Sequence, residues 1–289
     1  MKVIDEPAAL RAVLDEARRL GHDVGFVPTM GALHGGHRSL VRRAVAECDR
    51  VVVSLFVNPL QFGPGEDFES YPRDLAADLA QAEEAGADLV FAPSTRTMYP
   101  EGPLTTVSVR YLSDALEGRS RPGHFDGVAT VVAKLFAIVG PCLAYFGEKD
   151  YQQLLIVSRL VHDLSFPVTV VPCPTIREPD GLALSSRNAY LSPDDRKAAP
   201  IFYWSLLAGK RAIEENGVTD PAQVSAVMQG AAGREGRARL DYAQVARPHD
   251  LCVPQVITSE VRLMIAGHVG RTRLIDNLVA SPPDKEGAP

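Results

Sequence analysis

Two histidines three residues apart, His34 and His37, stand in the run Pro28-Thr29-Met30-Gly31-Ala32-Leu33-His34-Gly35-Gly36-His37. At the start of a helix that spacing lets both imidazoles face one ligand. Gly31, Gly35 and Gly36 allow the backbone to approach closely, and the unpaired amides and dipole of a helix N-terminus favour an anion such as phosphate. A nucleoside triphosphate would fit such a site. Taken alone, the same residues would also suit a glycine-rich turn that the histidines merely cap.

Three more segments carry groups of the right kind. In Gly181-Leu182-Ala183-Leu184-Ser185-Ser186-Arg187-Asn188 the two hydroxyls and the guanidinium could grip a triphosphate, since charge-assisted hydrogen bonds to phosphate are strong; a helix cap or turn is the competing use. In Phe146-Gly147-Glu148-Lys149-Asp150-Tyr151-Gln152-Gln153, Lys149 could offset charge building on phosphates. Asp150 could accept from ribose hydroxyls or cap a helix, and Gln153 could point its amide into the same crevice. A solvated Glu-Lys-Asp run remains the alternative there. Asn58-Pro59-Leu60-Gln61-Phe62 offers two amides with no charge nearby, which suits a hydroxy acid because amides donate to a carboxylate and accept from hydroxyls. Asn58-Pro59 could equally do no more than form a turn.

The elements around these segments predict where they lie. Residues 9–20 read as an amphipathic helix, and Val24 to Val27 as a short buried strand closed by Pro28. Leu40, Val41, Ala44, Val45 and Cys48 then share one helical face. The alternation repeats: a strand over 51–57, a helix over 74–85, a strand over 88–92, a helix through Val128 to Ile138, a strand over 143–146, a helix over 151–164 and a strand over 168–171. Alternating strands and helices imply a parallel sheet. The fold class is therefore α/β, a Rossmann-like doubly wound domain over residues 1–185, whose ligands should gather at the carboxyl ends of its strands. Residues 186–289 read as a smaller α+β domain: one or two helices, a polar stretch over 215–236, and short strands over 242–246 and 261–266. The tail over 281–289 has the composition of a frayed end.

The 289 residues are 46% hydrophobic, enough for one good core and a smaller appended domain, and carry a formal net charge of −6. That charge argues against nucleic acid or an anionic membrane as partner. Cys48, Cys142, Cys173 and Cys252 have no paired spacing and read as reduced core residues. The N-terminus has no basic head followed by an apolar run, and no segment approaches the length of a membrane span. We expect a soluble, cytoplasmic protein acting on small molecules.

HxGH directly after a parallel strand resembles the signature of the HIGH-motif nucleotidyltransferase superfamily, and the loop over 181–188 resembles a diverged KMSKS loop. The set PTMGALHGGH, FVNPLQF, YPR, RPGHFDGVATVV, YFGEKDYQQ and DGLALSSRN, in order through residues 24–191, resembles the pantothenate synthetase family, the pantoate:β-alanine ligases. A weaker echo is Thr272-Arg273-Leu274-Ile275-Asp276-Asn277. The resemblance implies condensation of pantoate with β-alanine through a pantoyl adenylate, with release of AMP and pyrophosphate. It implies an ATP site from Met30, Gly31, Ala32, Leu33, His34, Gly35, Gly36, His37, Gly147, Glu148, Lys149, Asp150, Ile176, Leu184, Ser185, Ser186 and Arg187, with His37 as proton donor. His34, Lys149, Ser186 and Arg187 would share the work of stabilising charge on phosphorus. Gln61 and Gln153 would hold pantoate, Gln61 would also lie near β-alanine, and Asn58 and Arg121 would line the neighbouring pocket, whose apolar wall for the gem-dimethyl group would be Val131 and Val132. Leu184 stands where the family usually has methionine and keeps the apolar volume. The implied partners are Mg2+ with the ATP, on protein ligands the sequence does not identify, and a second copy of the chain in a homodimer. The stretch over 63–70 beside Gln61 reads as a mobile lid over the anhydride. The rivals are a cytidylyl- or adenylyltransferase that stops at nucleotide transfer, a protein that charges tRNA, and a nucleotide-binding module without catalysis. The acidic charge disfavours the second, and the presence of His34, His37 and Lys149 disfavours the third.

Overall fold

The computed structural model describes residues 1–283; most of the tail expected to fray lies outside them. The chain divides into two compact units, Met1–Ile176 and Arg177–Pro289. The division falls earlier than residue 185 because Arg177 is already tied into the second unit. Its guanidinium donates to both oxygens of Asp276, at 2.6 and 2.8 Å, and to the backbone carbonyl of Asn277.

In the first unit the chain runs β1 (Lys2–Ile4), α1 (Pro7–Arg19), β2 (Val24–Thr29), α2 (Gly35–Glu47), β3 (Arg50–Leu55), α3 (Leu75–Glu84), β4 (Leu89–Phe91), the short helices α4 (Thr95–Met98) and α5 (Leu116–Ser120), α6 (His124–Val139), β5 (Cys142–Gly147), α7 (Tyr151–Asp163) and β6 (Val168–Cys173). The strands form one parallel sheet in the order β1-β4-β3-β2-β5-β6. Strands covered on both faces read as continuous apolar runs, as the inner strands β2, β3 and β4 do, whereas the edge strands β1 and β6 carry exposed positions. Val27, Val51, Val53, Val90 and Tyr145 pack with Leu40, Val41 and Ala44 of α2 and Ala82 of α3. From the other face of β2, Phe26 meets Phe136 of α6 edge-on, with ring centroids 6.3 Å apart.

β2 continues through Pro28 to Thr29, beyond its expected end. Proline is tolerated there because pairing to β5 has already stopped at Phe26. β1, of three residues, is too short to show a period and was not expected. The strand order reverses between β2 and β5, which are neighbours in register, Gly25 beside Leu143 and Phe26 beside Ala144. Helix α2, which follows β2, packs with α3, whereas α7, which follows β5, packs with α6. Adjacent strands whose helices leave to different sides open a crevice at their carboxyl ends.

The second unit contains α8 (Pro193–Ala198), α9 (Ile201–Glu214), α10 (Pro221–Ala232) and an antiparallel sheet of β7 (Ala238–Ala246), β8 (Val261–Val269) and β9 (Thr272–Ala280), in that order. Phe202, Leu206 and Ile213 of α9, with Val224 and Met228 of α10, pack on Val245, Leu263 and Ile265. α10 corrects the reading of 215–236 as a polar stretch. Its buried stripe is narrow, Val224, Met228 and Ala232 at one residue per turn, and Asp220 caps its start by accepting from the Ala222 amide. Among the described residues no helix is long and apolar enough to cross a membrane. All four cysteines are free thiols; Cys142 and Cys173 are buried as expected, but Cys252 is exposed, in the loop after β7, and so is not a core residue.

Candidate active site

The loop from β2 to α2 is built on three anchored amides. Thr29 Oγ1 donates to the Ser54 carbonyl of β3 at 2.7 Å and accepts from the Gly31 amide at 3.1 Å. Gly31 (φ +83°) and Ala32 (φ +49°) both lie in the left-handed region. The next two amides, of Ala32 and Leu33, donate to the two oxygens of Asp78 on α3, at 2.9 and 2.7 Å. This turn delivers His34 to the N-cap of α2, where its Nδ1 accepts from the Gly36 amide at 3.1 Å. In the neutral ring the proton then belongs to Nε2. The His34 and His37 rings lie 4.1 Å apart, tilted by 40°. Burial chiefly, with the positive charge of Lys149 next, lowers the His34 pKa to about 4; burial and then the neighbouring His34 lower that of His37 to about 3. Nδ1 of His37 is buried with no hydrogen-bond partner, and a buried polar atom left unpaired calls for an explanation such as a ligand. His34 therefore does cap its turn, while its second nitrogen and His37 retain bonding capacity.

At the end of neighbouring β5, a 3-10 turn over Glu148–Asp150 leads from Gly147 into α7. Asp150 occupies the N-cap position of α7 without a side-chain cap bond and accepts from Lys149 Nζ at 3.3 Å. Lys149 and Asp150 both act on the histidine pKa values, so this turn and the α2 start share one electrostatic environment. The two glutamines that follow have separate uses. Gln152 is buried and saturated, accepting from the Glu117 amide and donating to the Leu112 and Ala115 carbonyls. Gln153 is half-buried and is not engaged in this way.

The amides after β3 form a relay. Asn58 Nδ2 donates to the Gly127 carbonyl of α6 (3.0 Å) and to Gln61 Oε1 (3.2 Å), while its Oδ1 accepts from Tyr99 Oη (3.1 Å) and the Leu60 amide. Asn58, 1% exposed, is thereby fully engaged and orients Gln61. Gln61 Nε2 is left facing Met30 Sδ at 2.9 Å, and a thioether is a weak acceptor. Residue 127 must be glycine, since a Cβ there would lie 2.1 Å from the Leu60 carbonyl oxygen. Val131, one turn further along α6, and Val132 are buried.

Arg121 is not a loose pocket residue. Its Nε and Nη2 donate to the Glu66 carboxylate at 2.7 and 2.6 Å, and its Nη1 meets His124 Nε2 at 2.9 Å. His124 Nδ1 lies 2.7 Å from the Gln61 carbonyl; because that oxygen only accepts and Arg121 only donates, the ring is fixed as its Nδ1–H tautomer. The hydrogen bonds from Arg121, with its charge as a lesser cause, lower the Glu66 pKa to about 2. The stretch expected as a lid is thus fastened here through Glu66, and Phe62 packs on Phe68 and Tyr71 at 5.3 and 5.9 Å.

Ile176, the last residue of the first unit, is exposed. Within the second unit, Leu184 is half-buried and Ser185 caps a 3-10 turn over Ser186–Tyr190 by accepting from the Arg187 amide. The segment that carries Leu184 to Arg187 is rooted by Arg177, which holds the Gly181 carbonyl as well as Asp276 and stacks over Tyr203 at 4.4 Å. Asp276 gives the Thr272–Asn277 echo a physical role. Sequence reasoning missed Asp78, Tyr99, Glu66 and His124 as parts of these arrangements. Asp78 left one signal, as an acid on the stripe that Ala82 and Ala85 continue into the core.

Comparison with known proteins gives a consistent result. A sequence model of a family described as pantoate-β-alanine ligase matches residues 2–279. A pantothenate synthetase of Carboxydothermus hydrogenoformans is 50% identical over 280 residues, covering 96% of this chain and 99% of its own. The crystal structure of pantothenate synthetase from Thermus thermophilus superposes with a TM-score of 0.91 at 52% identity, covering 96% of this chain and 99% of the other. A pantoate-β-alanine ligase from Francisella tularensis, solved in complex with β,γ-ATP and β-alanine, gives 0.80 at 35% identity over 96% and 97%.

Proposed function

The chain belongs to the pantoate-β-alanine ligase family, and from that premise we propose how its residues join pantoate to β-alanine with ATP as activating co-substrate. The enzyme is a ligase that forms an amide bond. A carboxylate is a poor acylating agent, so one pantoate oxygen attacks the α-phosphorus of ATP, the bond to the bridging oxygen breaks, and pyrophosphate leaves. The β-alanine amine then attacks the acyl carbon of the pantoyl adenylate. The acyl C–O bond breaks, AMP leaves with the oxygen that pantoate supplied, and the new amide nitrogen loses its proton.

The observation that carries this reading is the pair of neutral imidazoles at the start of α2, adjoining the positively charged Lys149 turn on the neighbouring strand. His34 Nε2–H, His37 and Lys149 supply donors where charge grows on phosphorus, and such fixed donors are the strongest catalytic contribution in a site of this kind. His37 is neutral without ligand, and an anionic triphosphate favours its protonated form, which suits a proton donor to the leaving phosphate. The adenylate is assigned, within the first unit, to Met30 through His37, Gly147 through Asp150 and Ile176. Gln61 holds pantoate: its Nε2–H exchanges a thioether for an oxygen acceptor, and Asn58 keeps the amide in that orientation. Gln153 is the second pantoate contact, Gln61 also lies near β-alanine, and Arg121 and Asn58 border the neighbouring pocket, of which Val131 and Val132 form the apolar wall.

Mg2+ enters as part of the co-substrate. No cluster of three or more His, Cys, Asp or Glu able to hold a metal occurs among the described residues, which fits an ion carried on substrate phosphates and water. The free thiols and the net charge of −6 support a cytoplasmic enzyme whose partners are small molecules. A homodimer, taken from the family, is tested by sedimentation. The two-step route is tested with 18O in the pantoate carboxylate: one label must appear in the phosphate of AMP. Recovery of unlabelled AMP would exclude the adenylate.

A further inference from the structure

The geometry points to Asp78 as the positioning residue that holds the Gly31–Leu33 turn in the one shape that presents His34 and His37 to the nucleotide, an inference that rests on the nucleotide reading of this site. Asp78 belongs to α3, is 5% exposed, and its carboxylate faces backbone amides. Its two oxygens take the Ala32 and Leu33 amides one each. Successive backbone N–H groups that converge within a turn form a concavity that normally captures an external anion. Here the protein's own carboxylate fills it.

Three features make the contact specific. Ala32 carries a steric penalty in the left-handed region that glycine would not, so its conformation needs an external constraint. The fit at Gly31 is tight, because a Cβ there would stand 2.7 Å from Asp78 Oδ2. Thr29 Oγ1 takes the Gly31 amide, so the amides of residues 31, 32 and 33 are all committed internally. The phosphate-facing donors are thereby restricted to groups from His34 onward, at the head of α2. The acid does its work by geometry: it touches no reacting atom, and it sets the direction in which the α2 N-terminus and the two rings point.

The test is Asp78→Asn, which preserves volume but turns an NH2 group toward one of two backbone donors. The expected result is a KM for ATP raised about tenfold or more, with the KM for pantoate within about twofold of the parent, because only the nucleotide half of the site is disturbed. Amide hydrogen exchange at Ala32 and Leu33 should accelerate in the same variant while the melting temperature stays within a few degrees. If Asp78→Asn does not fold, Gly31→Ala attacks the same contact from the opposite side and is expected to give the same split. Unchanged ATP parameters with unchanged exchange at the two amides, or an equal loss for all three substrates that follows the loss of folded protein, would overturn the role. Direct ATP affinity by calorimetry and the amide exchange are read without catalysis. Failure of the parent enzyme to use pantoate would therefore count against the proposed reaction and leave the Asp78 claim still decided.

Discussion

His34 and His37 are imidazoles held neutral by their surroundings. Both sit below the ordinary histidine value of 6.5, at about 4 and about 3, chiefly through burial. Because the folded values lie below the unfolded one, the unfolded chain binds more protons between pH 6.5 and the folded values. The contribution of these histidines to stability is therefore present above about pH 6.5 and declines as pH falls through that window. Glu66 acts in the same direction lower down, its stabilisation present above 4.5 and lost as pH falls toward 2. A bound triphosphate reverses the balance at the histidines by favouring their charged forms. Calorimetry in buffers of different ionisation heat should then show proton uptake on ATP binding beyond that of ATP itself, and a His34→Gln, His37→Gln double variant should abolish the excess. Equal uptake in both proteins would remove the histidines from the triphosphate. At Gln61 the expectation is different, since the proposal assigns its amide to the acid. Gln61→Leu should raise the KM for pantoate by about ten- to a hundredfold and leave ATP affinity near the parent value, as steady-state kinetics can establish.

The elements that carry these residues were legible to different degrees. Strands β2 through β5 announced themselves because burial on both faces makes them largely continuous apolar runs, and the loops that follow β2, β3 and β5 hold the candidate site residues. β1 has only three residues and takes its stability from pairing with β4, a tertiary effect that no local pattern records. α10 was hidden because one buried residue per turn among Gln, Ser, Ala and Gly gives almost no period. The chemistry that each candidate side chain offers was legible, and its contacts within the protein were opaque. His34, Lys149 and Gln61 could be read from their chemistry, whereas Asp78, Glu66 and His124 act through contacts 45, 55 and 63 residues away in sequence. The stretch over 63–70 illustrates this. The need to keep water from the anhydride suggested a mobile lid beside Gln61, and in the structure Glu66 is paired bidentately with Arg121 and Phe68 packs on Phe62. Opening must break that pair, so Glu66→Ala should raise the rate of limited proteolysis between Phe62 and Tyr71 several-fold in the absence of substrates. Proteolysis at the parental rate would show that the pair does not fasten the segment.

At the scale of the whole chain, alternating strands and helices marked the first unit and the change of pattern marked the second, while the tie between Arg177 and Asp276, 99 residues apart, is one that sequence alone could not reveal. The resemblance to a family supplied what residue chemistry left open, namely which acid and which amine are joined. The central claim is that this protein activates pantoate as an adenylate before any amine is present. It is tested most directly by the exchange of labelled pyrophosphate into ATP with pantoate added and β-alanine withheld. The expected result is exchange that depends on pantoate and is lost when His37 is replaced by Gln, by at least about a hundredfold if the residue acts as a proton donor. ATP binding with no pantoate-dependent exchange, or exchange that proceeds equally well without pantoate, would contradict it.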